Sequence, residues 1–112
     1  MSSAMVRVVI TYVARPGQAE RMRQELTALI ETVVRTEPDC GGIHLLVDAA
    51  DPNRILLIEY WTSADAFTGP HLTTPHLTAF RARAAEFIAG PPEVTYWDET
   101  AAFFAKGKGL TL

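Results

Sequence analysis

The sequence predicts an α+β fold of the ferredoxin-like kind, βαββαβ with an antiparallel sheet, and three observations carry the expectation. Four short runs are rich in β-branched and aromatic residues. Two segments between them have apolar residues at helical spacing. The middle two β-type runs are separated only by turn residues, which joins them as a hairpin, so the order reads strand, helix, strand, strand, helix, strand. At 112 residues the chain has material for one domain and little more.

The first strand is Val6 to Val13, stopped by Arg15-Pro16-Gly17. From Gln18 to about Thr36 the residues Met22, Leu26, Leu29, Ile30, Val33 and Val34 recur at three- and four-residue steps. Glu20, Arg21, Gln24, Glu25, Glu31 and Arg35 fill the opposite face, as in an amphipathic helix. Glu37-Pro38-Asp39-Cys40-Gly41-Gly42 ends it, because proline disfavours helix in the residue before it and glycine permits a left-handed turn. The second strand is Ile43 to Val47, Asp48 to Arg54 is turn chemistry, and the third strand is Ile55 to Trp61. Thr62 or Ser63 caps a helix starting near Ala64, with Asp65 favoured by the helix dipole. Gly69-Pro70 breaks this helix. Leu77, Phe80, Ala84, Phe87 and Ile88 then mark a longer helical face ending at Gly90-Pro91-Pro92, and Glu93 to Asp98 is the fourth strand.

Residues 1–98 are thus expected to form the domain and residues 99–112 a tail. The tail residues Phe103, Phe104, Leu110 and Leu112 have no place in the basic unit, and Lys106-Gly107-Lys108-Gly109 lies between them. Helices in this topology cover one face of the sheet, so the other face needs a cover, most economically a second copy of the chain; the tail either docks on that partner or stays loosely ordered.

Composition narrows the function. The net charge is -3 and no basic run is present that would neutralise a row of phosphates, which argues against nucleic acid. No apolar stretch approaches the ~20 residues that span a bilayer, so no membrane role is expected. Cys40 is the only cysteine, so no internal disulfide forms; with no basic, apolar leader at the start, a cytoplasmic location is expected.

Some residues stand out on their own chemistry. Period-two alternation along the third strand puts Ile55, Leu57, Glu59 and Trp61 on one face. A carboxylate among apolar neighbours must be paired with Arg or His, or sit at a wet subunit interface; for Glu59 a structural role is the first expectation. Trp61 and Tyr60 are first of all packing residues, with polar tips able to orient an aromatic ligand. His71 and His76 bracket the helix break at a five-residue spacing that does not suit one helix face. With only His44 and Cys40 besides, no convergent metal set is expected. Nor does a Gly-x-Gly-x-x-Gly turn follow any strand, so neither flavin nor nicotinamide is expected, and no cofactor at all.

The stretch Glu59-Tyr60-Trp61-Thr62-Ser63-Ala64-Asp65-Ala66-Phe67, followed by His71, Thr74-Pro75-His76-Leu77 and Phe80, resembles the signature of the antibiotic biosynthesis monooxygenase domain. The Arg-Pro-Gly turn, the Glu-Pro-x-Cys-Gly-Gly segment and the Asp-Pro-Asn-Arg turn are similar to that family as well, and the resemblance runs from about Val6 to Asp98. It implies a dimeric α+β barrel with one pocket per subunit. It also implies, for some members, cofactor-free oxidation of quinol-like aromatics by dioxygen. His71 matches the family's pocket histidine, which makes it the candidate catalytic base.

Dioxygen is a triplet and reacts slowly with closed-shell molecules, whereas a deprotonated hydroxyarene is able to donate an electron. A protein need then only take the proton and shelter the intermediate, tasks suited to histidine and to a water-poor aromatic pocket. Trp61, Phe67, His76, Phe80 and Tyr96 are the candidate substrate-binding residues, although the aromatic ones would equally make an ordinary core. The expected function is a cofactor-independent monooxygenase of a small quinol-like or dihydroxyaromatic substrate, working as a homodimer with that substrate and dioxygen as partners. The alternatives are a non-catalytic dimeric binder of a hydrophobic metabolite and an isomerase or hydrolase of a small metabolite. Haem breakdown is disfavoured, because the haem-degrading relatives of this fold use an asparagine on the first strand and Val8-Val9-Ile10-Thr11 offers none.

Overall fold

Strand β1 (Val6–Val13) occupies an interior position of the sheet, and its inward residues Val8, Ile10 and Tyr12 are buried. It pairs antiparallel with β3 (Arg54–Trp61) on one side and with β4 (Glu93–Trp97) on the other; β2 (Cys40–Val47) closes the far edge on β3. The resulting order, β2-β3-β1-β4, is the ferredoxin-like arrangement that the element order requires. The computed structural model describes residues 5–107, so the expected roles of Leu110 and Leu112, with Lys108 and Gly109, lie outside the described residues.

Helix α1 (Ala19–Thr36) follows a turn in which Gly17 takes a φ of 78°, a left-handed conformation that costs glycine little. It lays Met22, Leu26 and Val33 on the sheet. Its end is defined by Glu37, which leaves the helical region and whose amide donates to the Val33 carbonyl. Helix α2 (Ala64–Thr68) is a single short turn capped by Ser63, whose hydroxyl accepts from the Ala66 amide at 3.1 Å. The Gly69-Pro70 break is realised as a 3-10 turn, Pro70–Thr73, and Thr74 then caps α3 (Pro75–Ala84).

Two boundaries differ from the sequence expectation by more than a single residue. Strand β2 begins at Cys40 rather than Ile43, because the register slips between Cys40 and Gly42 and lets both pair with β3. Helix α3 ends at Ala84, before Phe87 and Ile88. Those two are buried, but their backbone turns back to β1: Arg15 donates to the Phe87 carbonyl, Ala89 donates to the Val13 carbonyl, and Ile88 bridges Ala14. The Phe87 and Ile88 amides still donate to the Ala84 carbonyl, but the Phe87 carbonyl and the Ala89 amide are taken by the segment at the end of β1, so the helix does not continue.

The helices cover one face of the sheet only. On that face Ile55, Leu57, Glu59 and Trp61 of β3 stand beside Val8, Ile10 and Tyr12, enclosed by Leu77, Phe80, Phe87 and the inner row of α1. The opposite face carries Arg7, Val9, Leu56, Ile58, Tyr60, Leu46 and Trp97, with Leu46 and Trp97 largely exposed. None of the helices among the described residues is long and apolar enough to cross a membrane.

Candidate active site

Between the helices and the inner face of the sheet lies a cavity of about 150 Å³. Its walls are mainly apolar, from Ile10, Leu29, Val33, Leu57, Leu77 and Phe80, and its polar groups come from Tyr12, Glu59, His71 and Arg81. An apolar cavity of this size accommodates a benzene-sized ring.

His71 reaches the cavity because the helix break turns it inward. Its ring stacks on Phe67, with centroids 5.2 Å apart and planes 28° from parallel, and lies 4.7 Å from Trp61. Nδ1 is 2.9 Å from both carboxylate oxygens of Glu37. An ionised Glu37 only accepts, so Nδ1 carries the hydrogen, and Nε2 is left as the basic nitrogen. Burial lowers the His71 pKa below its ordinary value, and the Glu37 hydrogen bond acts against that shift. The neutral imidazole, the form that accepts a proton, therefore dominates at neutral pH.

His76 completes the cluster by placing Nε2 2.6 Å from Glu37 Oε2. The five-residue spacing of the two histidines is bridged because His71 lies on the 3-10 turn and His76 on the first turn of α3; both converge on the end of α1. This corrects the expectation that no ligating side chains meet. One ligand atom from each of Glu37, His71 and His76 lies within 4.8 Å of the others, a spacing from which a divalent ion could be held. The hydrogen bonds satisfy the three groups without one.

Glu59 is the second polar feature. It is 5% exposed, and Oε1 accepts from Trp61 Nε1 at 2.9 Å. Among the described residues no protein group bonds the other oxygen and no Arg or His pairs with it, so of the two arrangements expected for Glu59 the Arg or His pairing is not the one found. Burial pushes its carboxyl up to about 7; the Trp61 hydrogen bond opposes this and the Glu37 charge adds to it. Burial also raises the Tyr12 phenol, with the Glu59 charge assisting.

Of the residues singled out in the sequence for their chemistry, Glu59, Phe67, His71 and Phe80 line the cavity. Trp61 is not among the lining residues; it packs on His71 and Phe67 and holds Glu59 through its indole. Tyr96 meets the edge of Phe67 at 6.1 Å and is 46% exposed, and His76 faces Glu37. Sequence reading missed Glu37 and Arg81. Glu37 looks like a helix terminator next to Pro38, and no local signal ties residue 37 to residue 71.

The family model described as "Antibiotic biosynthesis monooxygenase" matches residues 5–83. Among solved structures, PA3566 from Pseudomonas aeruginosa is similar with a TM-score of 0.79 and 26% identity, over 90% of this chain and 99% of that one. Rv0793 from Mycobacterium tuberculosis is 29% identical with a TM-score of 0.72, over 86% of this chain and 98% of its own. A Caulobacter crescentus CB15 protein, provisionally called an antibiotic biosynthesis monooxygenase, is 25% identical with a TM-score of 0.77, over 88% of this chain and 92% of that one. No curated protein matches the chain.

Proposed function

Since this chain belongs to the antibiotic biosynthesis monooxygenase family, we propose that it oxidises a small quinol-like or dihydroxyaromatic substrate with dioxygen, without a bound cofactor, and that His71 is the base. The observation that carries the reading is the His71–Glu37 pair on the wall of an aromatic, mainly apolar cavity. Nε2 takes the hydroxyl proton of the ring bound there. The resulting anion is electron-rich enough to reduce dioxygen, and the apolar walls keep water from the reactive intermediate. Phe67 and Phe80 contact the ring. Trp61, His76 and Tyr96 act behind or beside them, Trp61 by supporting His71 and His76 by supporting Glu37.

The working unit in this reading is a homodimer. The support is the outer sheet face, where Val9, Leu56, Ile58, Leu46 and Trp97 make an apolar surface that no helix covers. The segment after Asp98 is a tail to the 1–98 domain that docks on the partner; Phe103, at 91% exposure, is not packed among the described residues. Oxygen uptake by the purified protein with a panel of hydroquinones and naphthols, with and without His71→Ala, tests the reading. Uptake that depends on His71 supports it. Tight binding of these ligands with no uptake would instead favour a binding protein.

A further inference from the structure

Glu59 is a buried carboxyl that the proton abstraction just described does not use. It lines the same cavity as His71. Trp61 fixes it through one oxygen and leaves the other without a protein partner among the described residues. An apolar enclosure favours the protonated form, which has a hydrogen to give, and no group among the described residues is placed to receive it.

We infer that Glu59 is a second catalytic residue of the cavity, the acid that protonates the departing oxygen when the O–O bond of the substrate hydroperoxide breaks. This rests on the monooxygenase reading. His71 Nε2 first takes the hydroxyl proton of the hydroxyarene. Dioxygen then adds to a ring carbon, accepting two electrons from the ring anion, and the distal peroxide oxygen recovers the proton from His71. In the next step His71 takes the hydrogen on that ring carbon as a proton. The C–H electron pair forms the C=O bond, the O–O bond breaks, and the Glu59 proton joins the leaving hydroxyl to make water. The proton on His71 then returns to Glu59. One dioxygen gives one carbonyl oxygen and one water, and no external reductant is needed.

Without the acid, the competing route for a dihydroxyarene is simple dehydrogenation. The ring loses two hydrogens, dioxygen becomes hydrogen peroxide, and no oxygen enters the product. Glu59→Gln separates the two. The amide is an isostere whose oxygen still accepts from Trp61 Nε1, so the enclosure is kept while the acid is lost. With isotopically labelled dioxygen and a hydroquinone that the unaltered protein turns over, label should enter the product of the unaltered protein. In Glu59→Gln, dioxygen consumption should persist, label in the product should be lost, and hydrogen peroxide should become the main reduced oxygen species. Glu59→Asp, which restores a carboxyl, should recover part of the label. Undiminished label in Glu59→Gln overturns the assignment, as does a slower reaction with the same division between labelled product and peroxide. Absence of dioxygen uptake by the unaltered protein overturns the monooxygenase reading and this assignment with it.

Discussion

Glu37 grips His71 symmetrically, both carboxylate oxygens lying 2.9 Å from the same ring nitrogen. The residue that ends the first helix thereby fixes the tautomer of a residue 34 positions later, beyond β2, β3 and α2. Glu37 is near-buried, at 11% side-chain exposure, and His76 binds its Oε2 as well, so the carboxylate is held from two sides. The contact orients the ring, while burial, not Glu37, favours the neutral form; the proposed reaction needs both before substrate arrives.

Removing the grip should be visible before any substrate is known. Glu37→Gln takes away the interaction that raises the His71 pKa and leaves the burial that lowers it, so His71 should titrate at lower pH than in the unaltered protein. Following the imidazole C–H signals by NMR checks this. An unchanged or higher titration midpoint would mean that the carboxylate does not set the protonation of His71.

On activity, His71→Ala should lower turnover of an identified substrate by ~10² to 10⁴, the usual cost of losing a general base. His76→Ala should cost much less, because Glu37 keeps both its contacts to His71. Steady-state rates for the two variants decide it; equal small losses would remove His71 as the base.

The outer sheet face makes a separate expectation. Ile58 stands at its centre between Val9 of β1 and His44 of β2. A homodimer built on this face should give twice the chain mass in light scattering, and Ile58→Asp should halve it, since an unpaired charge would then be buried in the interface. A monomer before substitution rules the pairing out.

The strands were legible because their inward and outward residues alternate: β3 shows the alternation along its whole length, and Glu59 falls in the inward row. The break between α2 and α3 was legible from Gly69-Pro70. The site was less so. Phe67, His71 and Phe80 belong to one local stretch and were readable, but Glu37 enters through tertiary contact across 34 residues of sequence. The end of α3 was misread for a related reason. Phe87 and Ile88 keep helical spacing, while pairing to β1 decides their backbone, and spacing does not report on hydrogen-bond partners.

Burying Glu59 has a thermodynamic signature that needs no substrate. Its folded-state pKa, about 7, is raised above the ordinary value of 4.5. The folded state therefore holds the proton more tightly than the unfolded chain does. That contribution is fully present below pH 4.5 and is lost as pH rises through 7. At ~1.4 kcal/mol per unit, the loss is on the order of 3 kcal/mol. His71 works in the opposite sense. Its lowered pKa gives stability that is present above its ordinary 6.5 and is lost as pH falls, so the two slopes partly cancel in the unaltered protein. Comparison with Glu59→Gln isolates the carboxyl, because His71 is common to both proteins. In urea unfolding, the variant should gain on the unaltered protein as pH rises from about 4.5 to 7, ending on the order of 3 kcal/mol better off relative to its standing at acid pH. A difference that stays flat across this range would show that Glu59 ionises without penalty in the folded protein, and with it would go the case for a protonated acid in the cavity.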